Sequence, residues 1–466
     1  MRPISLLILL FLAASCSATH DTAILKSVSY QPKSVATEKE TVPEPEEAGP
    51  YDMSDDIERF LAAETPEEEK KVLKALQLRQ VSHEDVKARL REWPLGSNRF
   101  AGLQKNLETE YNGHKYSYAL FTPASIAAEK NLPLIVILHG LGSSGQTIIE
   151  KWTRRLQGQA IILCPTYPMG AWWALPAEKM VLQLIQKTQA EYPVDRNRVF
   201  LSGLSNGAIG AYMIGMFNPD YFAGIIPIAG SVTQRLLHFL VNLSNTPLYI
   251  IHGRGDPIFP IAGVRRIHQI LSDMGYPVVY REHQEAGTAH GGHFLPESEV
   301  APLAAWLRVQ KRRRNPRTVR MTREGNHLGP IQWARIAKGI HLASLQIPGP
   351  ENEPLNVKDG KIATMVAMLQ GDNRIHILSK NLLEYEVYLN TEMVDFDVPI
   401  HISAQEILDM GKKLAPGETH LSFHHKVEKD LAVLLRSFKA RRDPDLLFDA
   451  SIRISLEKKF VSIANP

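Results

Sequence analysis

Short, continuously apolar segments alternate with longer segments of helical length through the middle of the chain. Segments of helical length include 179–191 and 261–274. Continuous apolar runs of a few residues are typical of parallel strands covered on both faces. The pattern therefore predicts a mostly parallel α/β sheet with helices on both sides. The strand candidates are 134–138, 160–163, 199–201, 225–228, 248–251 and 277–280.

The hydrophobic pattern changes on both sides of this region. Residues 55–93 carry apolar positions at helical spacing, and Ser82 can cap a further helix. From Val319 onward the apolar positions alternate with polar ones, which predicts half-buried antiparallel strands, with a helix at 428–439. We therefore predict a helical segment, an α/β domain and a β-rich C-terminal domain, with bounds 51–100, 101–314 and 315–466.

The first sixteen residues resemble an export signal. Arg2 precedes the uncharged apolar run 4–14, which is too short to span a bilayer. Residues 12–16, LAASC, resemble the lipobox of bacterial lipoproteins, which implies removal of 1–15 and lipidation of Cys16. That resemblance implies a lipid anchor at the outer membrane or cell surface, with 16–50 as a disordered tether. Ordinary cleavage after a small residue is the alternative.

Composition gives no reason to expect a nucleic-acid partner. The formal net charge is +3, and 44% of the residues are hydrophobic. Seven Lys or Arg residues fall between 308 and 320, which favours a charged helix end followed by a linker over a binding patch. The cysteine besides Cys16, Cys164, ends an apolar run and is expected in the core.

The stretch RVFLSGLSNGAIG, residues 198–210, suggests a candidate nucleophile. A buried strand leads into Gly203-Leu204-Ser205-Asn206-Gly207, and a helical segment follows. This order is the context of a nucleophile elbow, a tight turn that presents one serine hydroxyl at the sheet edge. A side chain at Gly203 or Gly207 would clash with the neighbouring strand and helix. A plain strand-to-helix loop is the alternative reading of the pentapeptide.

Further motifs supply the groups that a serine nucleophile requires. Asp256 follows the strand 248–251, where the acid of a catalytic triad is expected. An ordinary turn aspartate before a proline is the alternative interpretation of this residue. The base is His293 or His290, and His293 is preferred because it directly follows two glycines. The oxyanion donors are expected at the N–H groups of Leu141 and Asn206, with His139 as a structural histidine under that loop.

Four motifs together resemble a known branch of hydrolases. LIVILHGLGSSG, the segment 194–230 around GLSNG, YIIHGRGDPIFP and GGHF are similar to the carboxylesterase, acyl-protein thioesterase and polyhydroxybutyrate-depolymerase-like esterases of the α/β-hydrolase fold. The resemblance covers about 116–310. It implies Ser205 as nucleophile, Asp256 as acid, a loop histidine as base and Leu141 as an oxyanion donor. The chain is thus expected to be a serine hydrolase acting on carboxylic esters.

The sequence indicates the substrate less clearly than it indicates the reaction. Trp172 and Trp173 follow the strand 160–163 and either line a substrate pocket or anchor the packing. No metal-ligand spacing or phosphate-binding loop is found, and hydrolysis through an acyl-serine needs no cofactor. The expected partner is a small-molecule or polymer ester. A serine peptidase of the same fold and a catalytically silent carbohydrate-binding or adhesion lipoprotein are the alternatives.

Overall fold

A computed structural model describes residues 52–128, 131–285, 291–344, 362–409 and 414–456, without the side chains of 408, 409, 414–416 and 418. Cys16 with the export signal, and the alternative base His290, lie outside the described residues. Among the described helices, none is long and apolar enough to cross a membrane.

Three helices begin the described chain, in the region where the helical pattern predicts them. Thr65 and Glu68 form a capping box at the second helix. Ser82 accepts the N–H of Asp85 at 3.0 Å and so caps the third, which confirms its predicted role. The helices are α1 Met53–Ala62, α2 Pro66–Leu78 and α3 His83–Arg91.

An eight-stranded sheet forms the centre of the molecule. Its strand order is β1-β2-β4-β3-β5-β6-β7-β8; β1 and β2 are antiparallel to their neighbours, and the strands from β4 onward along this order are parallel to one another. This arrangement is the α/β-hydrolase sheet that the sequence predicts. The strands are β1 Gly102–Tyr111, β2 His114–Thr122, β3 Leu132–Leu138, β4 Ile161–Pro165, β5 Val194–Leu204, β6 Gly224–Ile228, β7 Leu248–Gly253 and β8 Val278–His283.

Helices cover both faces of this sheet, which explains its uninterrupted apolar strands. In β3, Leu134 and Val136 contribute to the core on one face, whereas Ile135 and Ile137 contribute to the core on the other. Neither face is left to solvent, so both sets of alternating side chains must be apolar. The covering helices are α4 Gly145–Arg155, α5 Leu175–Glu191, α6 Asn206–Phe217, α7 Ile261–Asp273 and α8 Val300–Val309.

The C-terminal region is rich in β-structure, as predicted. A five-stranded sheet of order β15-β14-β12-β11-β9 and a three-stranded sheet of order β10-β13-β16 share one apolar core. The elements are β9 Thr318–Arg323, β10 Ala334–Gly339, β11 Ala363–Gly371, β12 Arg374–Lys380, β13 Leu382–Leu389, β14 Ile400–Asp409, β15 Leu414–His425, α9 Leu431–Arg441 and β16 Ala450–Ser455.

The N-terminal helices pack against the C-terminal helix α9. Ile57, Phe60 and Leu90 share a fully buried cluster with Leu434 and Phe438. A buried ion pair lies beside this cluster, because Lys87 Nζ is 2.6 Å from Asp449 Oδ2. The two ends of the described chain therefore form one structural unit.

Buried charges join this unit to the hydrolase sheet. Arg441 of α9 is 2.8 Å from Asp220, and Arg312 after α8 is 2.5 Å from Asp443. All four side chains are largely buried. Buried charges are costly unless they are paired. These two pairs therefore fix how α9 and the residues after it sit on the hydrolase sheet.

His327 makes a further polar connection at this boundary. Its ring stacks on Phe217 with centroids 3.8 Å apart, and its Nε2 is 3.0 Å from Glu178 Oε2 on α5. Its Nδ1 bonds Glu324. Burial lowers the pKa of His327, but the hydrogen bonds to Glu178 and Glu324 outweigh burial and raise it overall. Burial raises the pKa of Glu178, but the hydrogen bonds to His327 and Asn218 and the charges of His327 and Lys179 together outweigh burial and bring the pKa to about 2.

These shifts predict how the free energy of unfolding varies with pH. The His327 pKa lies above the ordinary histidine value of 6.5, so its contribution to the free energy of unfolding is full below pH 6.5 and is lost as pH rises through the raised pKa. The Glu178 pKa lies below the ordinary glutamate value of 4.5, so its contribution is full above pH 4.5 and is lost as pH falls toward about 2. When the free energy of unfolding is measured by denaturant titration across this pH range, His327→Gln should lose much of the decline that the wild type shows as pH rises. His114→Gln, on the exposed end of β2, should keep the wild-type profile; identical profiles for both variants would refute the assignment.

Candidate active site

Ser205 lies at a strained turn between strand β5 and helix α6. Its φ is 59° and its ψ is −120°, a conformation that a non-glycine residue rarely adopts. Strain of this kind costs about 1–3 kcal/mol and persists only where the surroundings enforce it. Here the Ser205 N–H donates to Ile228 O at 3.1 Å, and the Ser205 carbonyl accepts the N–H of Ala208 at 2.8 Å. Strand β6, which ends at Ile228, and helix α6 therefore hold the turn from both sides.

Two glycines allow the turn to form, for the steric reason that the sequence suggests. A Cβ added at Gly203 would lie 2.1 Å from Gly207 O, and one added at Gly207 would lie 2.1 Å from Leu138 O. Both positions press backbone against backbone, so neither neighbour can yield cheaply. The predicted clash with the neighbouring helix and strand is confirmed.

Asp256 and His293 are hydrogen-bonded at the same edge of the sheet. Asp256 follows strand β7, and its Oδ1 accepts the N–H groups of Ile258 at 2.8 Å and Phe259 at 3.0 Å. Its Oδ2 is 2.8 Å from His293 Nδ1. Because an ionised carboxylate only accepts, Nδ1 carries the proton in this pair and Nε2 is left as the basic nitrogen. The Phe259 ring stacks on His293 with centroids 5.9 Å apart.

The loop that carries His293 rests directly on the end of β7. A Cβ added at Gly253 would lie 2.2 Å from Gly292 O, and Gly291 has a φ of 61°. The backbone of this loop is therefore in van der Waals contact with the strand that leads to Asp256. This close packing fixes the separation of the His293 and Asp256 side chains.

His252 is a site residue that the sequence reasoning missed. It lies on β7, four residues before Asp256, and its Nε2 is 3.7 Å from Asp256 Oδ2. Its Nε2–H donates to Phe259 O at 2.9 Å, and burial lowers its pKa, which favours the neutral ring. His252 thus braces the turn that holds Asp256. The position of His252 at the end of a buried strand was the sequence feature that could have identified it as a site residue.

The turn after β3 lies against Ser205, where the oxyanion donors are expected. A Cβ added at Gly140 would be 3.2 Å from Ser205 Cβ. Leu141, the next residue, is 61% exposed and so lies at the surface of this turn. Asn206 is the first residue of α6, and the first N–H groups of a helix have no acceptor within it.

His139 supports this turn, as the sequence suggests. The N–H of Tyr167 donates to His139 Nε2 at 3.2 Å, so the ring proton is on Nδ1, which donates to Gly140 O at 2.8 Å. Burial lowers the pKa of His139, which favours this neutral form. The ring therefore fixes the direction of the Gly140 carbonyl beside the nucleophile.

The two tryptophans have different surroundings. Trp172 is fully buried, and its Nε1–H donates to His139 O at 2.8 Å, so it anchors the turn after β3. Trp173 is half-buried. Both border a cavity of about 280 Å³. The two interpretations from sequence, pocket wall and packing anchor, thus each describe part of this pair.

The chain is similar to esterases and thioesterases. The phospholipase/carboxylesterase family matches residues 175–309, a range that contains Ser205, Asp256 and His293 but not Leu141. Acyl-protein thioesterase 1 of Gibberella zeae is 21% identical over 224 residues, which is 40% of this chain and 93% of that protein. A putative esterase of Nocardia uniformis, NocK, is 23% identical over 167 residues, 33% of this chain and 48% of that protein.

Solved structures that match part of this chain include esterases. A thermostable esterase is 23% identical with a TM-score of 0.38 and is matched over 45% of this chain and 63% of its own. A fluorophosphonate-binding serine hydrolase of Staphylococcus aureus is 15% identical with a TM-score of 0.38, over 45% of this chain and 99% of its own. With the sheet order and the family match, the conclusion is that the chain is a serine hydrolase with the α/β-hydrolase fold.

Proposed function

We propose that the chain hydrolyses carboxylic esters through an acyl-serine intermediate on Ser205. In this proposal His293 is the general base and Asp256 orients it. The N–H groups of Leu141 and Asn206 bind the oxyanion. The relatives named as thioesterase and esterase support an ester or thioester as the substrate class.

The observation that carries the proposal is the hydrogen-bonded Asp256–His293 pair at the sheet edge that also holds Ser205 in its strained turn. The hydrogen-bonded pair alone would also be expected for many buried structural histidines, and the strained turn alone would also be expected for a tight loop without a catalytic role. The pair and the strained turn lie together at the ends of β7 and β5, with the first N–H groups of helix α6 beside the serine. This combination matches the parts that acyl transfer requires.

The proposed reaction proceeds in two balanced halves. His293 Nε2 takes the Ser205 hydroxyl proton as Oγ bonds to the ester carbonyl carbon, and the same proton passes to the departing alcohol as the C–O bond breaks. Water then attacks the acyl carbon while His293 Nε2 takes a proton from it. The acyl C–Oγ bond breaks as His293 passes that proton to Ser205 Oγ, which releases the acid and restores the serine. In both halves the two N–H groups stabilise the charge on the carbonyl oxygen.

Substitution of the proposed residues provides the direct test. With p-nitrophenyl acetate and butyrate, Ser205→Ala and His293→Ala should each lower kcat by about a thousandfold or more, because neither can act without the other. His290→Ala should stay within about tenfold of wild type, because Asp256 is bonded to His293. A peptide p-nitroanilide assayed in parallel should be cleaved far more slowly. Wild-type rates for Ser205→Ala, or loss of activity in His290→Ala alone, would refute these roles.

Two glycines beside Asp256 provide a test of loop geometry. Gly253→Ala should lower kcat by about a hundredfold, because the added Cβ would displace the backbone beneath His293 by a fraction of an ångström or more. Gly255→Ala is the matched control, since a Cβ added there meets nothing within 4 Å. Esterase assays on both folded variants should separate them, and equal activity would contradict the proposed contact.

A further inference from the structure

Two histidines lie side by side on the exposed face of the five-stranded C-terminal sheet. His401 is on β14 and His424 is on β15, an edge strand of that sheet, and the two residues are direct cross-strand partners. Their ring centroids are 4.1 Å apart. Both residues are exposed, whereas Ile400 and Ile402 on either side of His401 are fully buried. Successive side chains of a strand point to opposite faces, so both imidazoles lie on the face away from the apolar core.

The backbone hydrogen bonds explain why the two rings are so close. The N–H of His401 donates to Asn373 O at 2.9 Å, so the polar backbone groups of His401 point toward β12 and away from β15. His401 and His424 are therefore a non-hydrogen-bonded pair, in which the Cα atoms are about 4.5 Å apart instead of about 5.5 Å. Side chains approach most closely at pairs of this type. The sheet itself thus holds both imidazoles within reach of one small ligand.

The neighbouring groups favour neutral imidazoles in this pair. Partial desolvation lowers the pKa of His401, and the charges of His424 and Arg374 lower it further. Arg374 is the register partner of His401 on β12. A neutral imidazole carries a lone pair on one ring nitrogen, which it can donate to a metal ion. An anionic ligand would need protonated rings, which these neighbours disfavour.

Two neutral imidazoles at this separation are a donor set for a transition-metal ion. Bonds of about 2.0–2.1 Å to one ion place the two ligand nitrogens roughly 3 Å apart, which rings with centroids 4.1 Å apart can reach. Imidazole suits Cu²⁺, Ni²⁺ and Zn²⁺, whereas Ca²⁺ and Mg²⁺ take oxygen ligands.

A third protein ligand is not at hand. His376, which lies on the neighbouring strand β12, bonds Ser403 Oγ through its Nδ1 at 2.8 Å. Among the residues that the structure describes, no group of three or more His, Cys, Asp or Glu side chains could hold a metal ion. An ion bound by His401 and His424 would therefore keep its other coordination positions for water or for an external ligand.

We propose that His401 and His424 form a surface site for one divalent transition-metal ion of the Cu²⁺, Ni²⁺ and Zn²⁺ class, chelated by both imidazoles. The site is independent of the proposed ester hydrolysis. Because its two ligands belong to neighbouring strands, the bound ion links the edge strand β15 to β14. The pair forms only in the folded sheet, which is why no short ligand spacing in the sequence marks it.

Calorimetric titration of the full chain with each metal ion at neutral pH tests the proposal. Wild type should bind Cu²⁺ most tightly and Mn²⁺ least tightly, the order expected of an imidazole site. His401→Gln and His424→Gln should each weaken Cu²⁺ and Zn²⁺ binding by about tenfold or more, since even residues that only orient a ligand contribute that much. The double variant should bind about as weakly as either single variant, because one imidazole alone cannot chelate.

His425→Gln is the matched control. His425 is the next residue on β15 and is also exposed, but it lies on the opposite face, beside Phe423. This variant should keep the wild-type affinity. Without metal, circular dichroism and thermal unfolding should be the same for wild type and for all of these variants, because the three histidines are exposed.

Arg374→Gln tests where the ion lies. Removal of this neighbouring positive charge should tighten Cu²⁺ binding by about two- to fivefold at low salt, because like charges repel. An unchanged or weaker affinity would contradict the placement of the ion beside His401.

The titrations distinguish chelation from binding by single histidines. If the two imidazoles bind metal independently, each single variant will lose part of the bound metal and keep the affinity of the remainder, and the proposal is overturned. Equal affinity in wild type and in the double variant also overturns it. So does a loss in His425→Gln as large as the loss in His424→Gln.

Discussion

The strained backbone of Ser205 is the constraint on which the rest of the site depends. A serine with positive φ is stable only because a strand and a helix meet there at backbone contact, with glycine at 203 and 207. The same contact brings the turn after β3 against the serine through Gly140. Nucleophile and expected oxyanion turn are thus set by one packing arrangement, and the cost of the strain is met by the folded sheet around it.

Burial and charge pairing hold the remaining parts of the chain against one another and against the hydrolase sheet. The N-terminal helices and α9 bury their apolar faces against each other. The pairs Arg441–Asp220 and Arg312–Asp443 join α9 and the residues after it to the hydrolase sheet. Breaking a buried pair leaves an uncompensated charge, at a cost of about 3–5 kcal/mol. Such an interface resists sliding, so the C-terminal region keeps a fixed position on the hydrolase sheet.

The sequence predicts local features well and long-range ones poorly. The LIVIL run identifies β3 because both of its faces are buried, and GLSNG identifies the elbow because only glycine fits there. Strand β1 escaped prediction because half of its residues are exposed and its sequence carries no apolar alternation. The pairing of Lys87 with Asp449, and of Glu178 with His327, joins residues far apart in the chain. No local pattern encodes such partners, and the spacing of His290 and His293 from Asp256 could not distinguish between them.

The central claim is that Ser205 is the nucleophile, and covalent trapping tests it most directly. A fluorophosphonate reacts with an activated serine by forming an O–P bond and releasing fluoride. Tryptic digestion of the treated protein should place the single phosphonyl adduct on the peptide 199–235, which contains Ser205, and His293→Ala should abolish it. An ester-hydrolysing sample that carries its adduct on any other peptide, or that remains unmodified, would contradict the account.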